Sequence, residues 1–176
     1  MSAHLTGEVT LTALSSLLPG DQTQGWKRRW QDIEGEAAEV LRPITVPMSG
    51  ETIQAARQRV QSFFVTAYHL KDDLVRSSAT TGIARHAVEN AVSGDPDLAL
   101  LCDLANLRKH GQLNRPPRSG HVPSVLSWAG TFLPGASPSW RLDLVIEHNG
   151  VMHDGLDLVQ RSIAAWRRTL QSWNLI

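Results

Sequence analysis

The segment LCDLANLRKHG occupies residues 101–111, and the interpretation of the whole chain depends on it. Its apolar residues recur with the spacing of one α-helical face, and Gly111 follows at the kind of position where helices commonly end. The polar residues Asp103, Asn106 and His110 are spaced i, i+3 and i+7, which puts them together on another side of the same helix. Three aligned polar side chains on a helix with a buried stripe predict a polar centre within a helical protein.

Apolar periodicity predicts further helices on both sides of this segment. Between Ile53 and Leu74 apolar residues alternate at spacings of three and four, and Ser49 is a suitable N-cap for this long helix. Asp95 and Pro96 are a typical N-cap and first helical residue, so they mark the start of the helix that ends at His110. The predicted helices cover residues 26–41, 49–74, 83–94, 95–110 and 156–174.

A β element is predicted between the last two helices. Residues 141–148 alternate as a strand does, Asn149-Gly150 is a strong hairpin signal, and residues 151–153 return. Residues 122–133 are either a strand or irregular. The prolines within residues 114–120 predict a surface connection, and residues 1–24 predict a short strand or a loose arm.

The predicted fold class is mainly α. It is a four- to five-helix bundle with a small antiparallel β-hairpin or sheet before the C-terminal helix. We expect a single domain, 1–176, with the bundle core at 26–111, the β element at 122–154 and the C-terminal helix at 156–174.

Composition narrows the classes of function. Lys plus Arg and Asp plus Glu balance at 17 each, so a large nucleic-acid-binding face is not implied, although a local basic patch is compatible with these counts. Cys102 is the only cysteine, which excludes an intrachain disulfide and favours a reducing compartment. Residues 1–8 lack the basic and apolar regions of a signal peptide, and no run approaches the roughly 20 apolar residues of a membrane span. We therefore predict a cytoplasmic protein with no membrane partner.

The polar residues of two helices admit a structural interpretation. His69 and Asp73 are neighbours on the long helix, and antiparallel packing would turn them toward Asp103 and Asn106. These groups would then form a hydrogen-bonded network that fixes the register of the helices. His110 would complement the C-terminus of its own helix, where a cation is favoured.

A metal site is a second interpretation, because helix bundles build carboxylate–histidine sites in their cores. Its ligands would be His69, Asp73, Asp103 and His110. The Glu-x-x-His, HExxH, CxxC and P-loop motifs are all missing from the sequence. We therefore predict no cofactor, and this set is kept as an alternative.

A family resemblance gives a third interpretation. The segments YHLKDDL, residues 68–74, and DLANLRKH, residues 103–110, look like paired motifs of small bacterial proteins near the HEPN superfamily. A long second helix, and a polar residue ahead of a histidine near the end of a later helix, also resemble that superfamily, over residues 26–111. The resemblance implies a homodimer that acts on RNA in a defence or toxin–antitoxin system, often as a metal-independent ribonuclease.

The chain departs from the family motif, in which an arginine precedes the histidine. Asp103, Leu104 and Ala105 stand where that arginine belongs, so His110 is carried over with Asn106 as its polar partner. The resemblance thus points to a binding or interaction module with an RNA or protein partner, and an RNase using His110, Asn106 and Asp103 is the alternative. The basic residues around the helix end would bind phosphate: Arg108, Lys109, Arg115 and Arg118.

Overall fold

The computed structural model describes residues 25–47 and 49–176. The predicted fold class is confirmed, because this part of the chain is mainly helical with a three-stranded antiparallel sheet before the last helix. The prediction for residues 1–24 lies outside the described residues. In chain order the elements are α1 Gly25–Leu41, α2 Gly50–Arg76, α3 Ser78–Thr81, α4 Arg85–Gly94, α5 Pro96–His110, β1 Ser124–Leu133, β2 Ser139–His148, β3 Val151–Asp154 and α6 Gly155–Ser172.

The long helix α2 packs against α1, α4 and α5, and α5 in turn packs against α6. Its apolar stripe is buried as the spacing predicts, with Phe63, Leu70 and Leu74 at 0% exposure. A single cluster of buried apolar residues joins these helices to the inner face of β2. Across the described ranges, no helix combines the length and the apolar character that a membrane crossing requires.

Capping residues set the ends of the helices that matter for the site. The Oδ1 atom of Asp95 accepts hydrogen bonds from the backbone N–H groups of Asp97 and Leu98, at 3.0 and 3.2 Å, so α5 begins where the sequence predicts. Gly111 has a φ of 71°, a left-handed conformation that ends α5. The chain therefore turns sharply at Gly111 and continues as the loop of residues 111–123.

The sheet has the order β1-β2-β3, and all of its pairs are antiparallel. Asn149 and Gly150 both have positive φ, 54° and 75°, as the tight turn between β2 and β3 requires. For residues 122–133 the sequence allowed either a strand or irregular structure, and residues Ser124–Leu133 form strand β1. Helix α6 covers Gly155–Ser172 rather than 156–174, because Asp154 is its N-cap and Trp173 its C-cap.

Candidate functional site

A cleft of about 540 Å³ lies at the C-terminal end of α5. It brings together the three residues aligned on α5, Asp103, Asn106 and His110, with Tyr68 of α2. The loop that follows α5 supplies the remaining lining, from residues Leu113, Asn114, Arg115, Pro116 and Arg118. Five of the residues singled out from the sequence therefore line one cleft.

Asp103 is the anchor of this loop. Its Oδ1 atom accepts a hydrogen bond of 3.0 Å from the backbone N–H of Arg118. Its Oδ2 atom accepts two more from Ser119, at 2.9 Å from the backbone N–H and 2.7 Å from the hydroxyl. The residue is only 2% exposed, so its carboxylate is occupied by the protein itself. The geometry gives Asp103 the role of holding the loop in place.

The side chain of Arg118 joins the loop to a half-buried ionic network. Its guanidinium donates to Glu89 Oε2 at 2.6 Å and to Ser93 Oγ at 2.8 Å, both on α4. The other oxygen of Glu89 accepts from Lys71 Nζ at 3.0 Å, and Lys71 also donates to Asp72 at 2.8 Å. Lys71 is only 6% exposed, so two carboxylates compensate an ammonium group that has lost most of its water.

These bonds set the protonation states of the network. Burial acts to raise the pKa of Glu89, but the hydrogen bonds from Arg118 and Lys71 outweigh it, so the pKa lies below its ordinary value. The pKa of Asp72 is lowered in the same way, because burial is outweighed by the hydrogen bond from Lys71. Burial alone would lower the pKa of Lys71, yet its two carboxylate partners raise it. The network is therefore fully ionised near neutral pH.

Two lysines approach the ring of Tyr68, which lines the cleft. The Nζ atoms of Lys71 and Lys109 are 5.3 and 5.4 Å from the centre of its ring, within the range of cation–π attraction. Burial raises the pKa of the Tyr68 hydroxyl, which therefore stays protonated at neutral pH. Lys71 is held by its carboxylates, whereas Lys109 is exposed at the end of α5.

The cleft carries a positive balance of charge. Arg115 and Arg118 line it, and Lys109 stands over the ring of Tyr68. Within residues 25–47 and 49–176, Asp103 is the single carboxylate of the lining, and the loop already satisfies it. Arg115 is exposed and has no ion-pair partner among those residues, so its guanidinium is available to an incoming anion.

His69 and Asp73 do not join this cleft, which corrects the expectation that they face Asp103 and His110. Asp73 is bound by Arg29 Nε of α1 at 2.9 Å and by Arg76. His69 Nδ1 lies 3.3 Å from Asp72 Oδ2 on its own helix. The physical reason is that α2 packs against α1 as well as α5, so Asp73 meets an arginine of α1, while His69 pairs within its own helix.

The proposed metal ligands are not brought together either. In the part of the chain that the structure describes, no group of three or more His, Cys, Asp or Glu side chains is placed to hold a metal ion. Asp73 is engaged by arginines, and Asp103 is engaged by the loop. Cys102 is fully buried, and burial raises the pKa of its thiol to about 12, so it remains a protonated thiol.

The basic residues chosen from the sequence separate into two groups. Arg115 and Arg118 line the cleft, and Lys109 lies beside it, with its Nζ atom 5.4 Å from the ring centre of Tyr68. Arg108 is exposed on the last turn of α5 but does not line the cleft. The sequence interpretation missed Lys71 and Glu89, although a lysine four residues after Ala67 and three before Leu74 lies beside the apolar stripe of α2 and was a signal of a buried charge that needs a partner.

Comparison with known proteins adds no assignment: no family model, no curated protein and no solved structure matches the chain. The resemblance to the HEPN superfamily therefore remains a prediction from the two quoted motifs.

Proposed function

We propose that this protein is a HEPN-like binding module whose cleft holds the phosphate backbone of single-stranded RNA, in a bacterial defence or toxin–antitoxin system. The observation that supports it most directly is the charge of the cleft. It gathers Arg115, Arg118 and the nearby Lys109, while its one carboxylate is already satisfied by backbone N–H groups. Arg115 and Lys109 have no carboxylate partner among the described residues, and such uncompensated positive charge beside the cleft favours phosphate.

Arg115 is the residue that makes the first contact in this proposal. Its guanidinium is exposed and free of ion pairs among the described residues, so binding a phosphate breaks no existing bond. Arg118 acts differently, because its side chain is held by Glu89 and Ser93. Its charge is compensated by Glu89, so it shapes the wall of the cleft, and Arg115 supplies the charge-assisted hydrogen bonds.

Asn106, His110 and Tyr68 provide the recognition of a nucleotide beyond its phosphate. The Asn106 amide both donates and accepts, which suits a base edge or a ribose hydroxyl. The Tyr68 hydroxyl stays protonated because burial raises its pKa, so it is able to donate a hydrogen bond. The ring of Tyr68 is also available for stacking where the exposed Lys109 side chain moves aside.

An RNase that uses His110 is the second candidate, since His110 lines the cleft beside Asn106 and Arg115. Cleavage by the ribose 2′-hydroxyl requires a base to take its proton and an acid to protonate the leaving 5′-oxygen. Among the described residues, His110 is the only imidazole that lines the cleft, and an asparagine amide performs neither step. The lining therefore favours binding over catalysis.

The test is the affinity of the purified full chain for a fluorescently labelled single-stranded RNA of about 12 nucleotides, measured by anisotropy. We expect Arg115→Ala to weaken binding about three- to tenfold and to reduce the salt dependence of the association constant by about one unit of log–log slope.

Arg108→Ala is the matched control, because it removes the same charge from the same region but from outside the cleft lining. It should retain most of the affinity. Equal losses of affinity in both variants would mean that RNA binding depends on the overall charge and not on the cleft. No measurable binding by the wild type would overturn the proposed function.

A further inference from the structure

Among residues 25–47 and 49–176, strand β1 forms an outer edge of the sheet. It pairs with β2 from Ser124 to Leu133, and no other described strand lies beside it. A free edge presents backbone N–H and C=O groups that are ready to pair with another strand. This edge runs along all ten residues of the strand.

The edge lacks two of the features that usually keep such strands apart, charged residues and proline. The sequence of β1, SVLSWAGTFL, contains neither a charged residue nor a proline. A β-bulge lies between Val125 and Ser127, and from Ser127 to Leu133 the register is regular. A strand with no charge is compatible with its own copy, because pairing places no like charges opposite each other.

Both faces of β1 expose apolar side chains. Leu126 is 54% exposed, Phe132 is 48% and Leu133 is 38%. Trp128 and Phe132 lie on the core-facing side, since they pair with Leu144 and Trp140 of β2, yet only Trp128 is partly covered. The strand thus extends beyond the helices that cover β2.

We propose that β1 pairs antiparallel with β1 of a second copy of this chain, which joins two three-stranded sheets into one of six strands. The regular segment from Ser127 to Leu133 has Gly130 at its centre, and a two-fold axis there pairs every one of its residues. Trp128 then lies opposite Phe132 of the second copy, and the same pair forms again on the other side of the axis. Cross-strand aromatic pairs of this kind stabilise antiparallel sheets.

In this register, each residue of one copy also lies opposite a residue on the same face of the sheet in the other copy. Trp128, Gly130 and Phe132 face the core side, and the residues between them face the other side. Opposite residues of an antiparallel pair point to the same face, and the pairing about Gly130 satisfies that rule throughout. The contact is isologous, so it closes at a dimer and exposes no further free β1 edge.

The test is the mass of the full chain by sedimentation equilibrium, at concentrations from about 1 to 100 µM. We expect the wild type to move from the monomer mass of 19.4 kDa toward twice that value. Ala129→Lys should stay monomeric, because it introduces a charge into the paired edge. Within one chain the new lysine is tolerated, since Ala129 is exposed and lies opposite Asp143.

Ala164→Lys, an identical change on the exposed face of α6, is the control and should associate as the wild type does. Far-UV circular dichroism confirms that each variant is folded. A wild type that remains monomeric over the whole range overturns the proposal, as does a folded Ala129→Lys variant that dimerises normally.

A disulfide experiment tests the register itself without adding charge. Ser127 of one copy lies opposite Leu133 of the other, so chains with Ser127→Cys should cross-link to chains with Leu133→Cys on oxidation. Either variant alone should form few dimers. The native Cys102 is fully buried and does not compete. Cross-linking that is no greater in the mixture than in the separate variants overturns the proposed pairing.

Discussion

The backbone N–H of Arg118 donates a hydrogen bond of 3.0 Å to the Oδ1 atom of Asp103. The same arginine uses its side chain to bind Glu89 and Ser93 on α4. One loop residue is thus tied to α5 by its backbone and to α4 by its guanidinium. The shape of the cleft depends on these two attachments, because Leu113 to Pro116 lie between them and the end of α5.

Removing the first attachment should destabilise the protein. Asp103→Ala leaves three donors of the loop without their acceptor, and we expect the free energy of unfolding to fall by about 1–3 kcal/mol. Urea denaturation followed by circular dichroism measures this. Asp32→Ala, which truncates an exposed aspartate on α1, should change the free energy by less than about 0.5 kcal/mol. An equally small change for Asp103→Ala would contradict the anchoring role.

The second attachment predicts a dependence of stability on pH. The folded-state pKa of Glu89 lies below its ordinary value of 4.5, since its bonds to Arg118 and Lys71 outweigh the effect of burial. Its contribution to stability is therefore present above pH 4.5 and is lost as the pH falls through the lower folded value.

Glu89→Gln should remove part of this dependence. We expect the variant to be less stable than the wild type at pH 7 and to lose less stability than the wild type between about pH 5 and pH 3. Urea denaturation at each pH measures the two slopes. Parallel curves of unfolding free energy against pH for the wild type and the variant would show that folding does not lower the pKa of Glu89. Glu51→Gln, an exposed change at the start of α2, serves as the control.

A close approach of β2 and α6 gives a prediction about packing. A Cβ atom on Gly155 would clash with the side chain of Leu144, which is buried at 1% exposure. Gly155→Ala should therefore lower the free energy of unfolding by about 1–3 kcal/mol. Gly94→Ala is the matched control, because nothing lies within 4 Å of the added carbon, and it should be neutral or slightly stabilising. Similar melting temperatures for the two variants would contradict the close packing.

The helices were predictable because their signals are local. The apolar spacing of α2, the Asp95-Pro96 start of α5 and the Asn149-Gly150 turn each depend on residues within a few positions of one another. Strand β1 was harder, because an edge strand that extends past its core exposes apolar residues on both faces. Its pattern therefore lacks the alternation that identifies a half-buried strand.

The polar contacts could be predicted only in part. Periodicity correctly placed Asp103, Asn106 and His110 on one side of α5, and all three line the cleft. The partner of Asp103 lies in the loop fifteen residues further on, and the partner Arg29 of Asp73 lies on another helix. Contacts between distant residues depend on how the helices pack, and the spacing within one helix does not contain that information.

The last prediction separates RNA binding from RNA cleavage. We expect the wild type to bind a labelled single-stranded RNA and to leave it intact in the presence of a chelator, because the described lining offers one imidazole where the reaction needs both a base and an acid. Gel analysis of the RNA after incubation, with His110→Ala and the exposed His86→Ala purified in parallel, is the measurement. Cleavage by the wild type and His86→Ala that disappears in His110→Ala would reverse this conclusion and establish His110 as a catalytic residue. Cleavage by all three would indicate a contaminating nuclease, and a chain that binds without cleaving would have the properties of the proposed module.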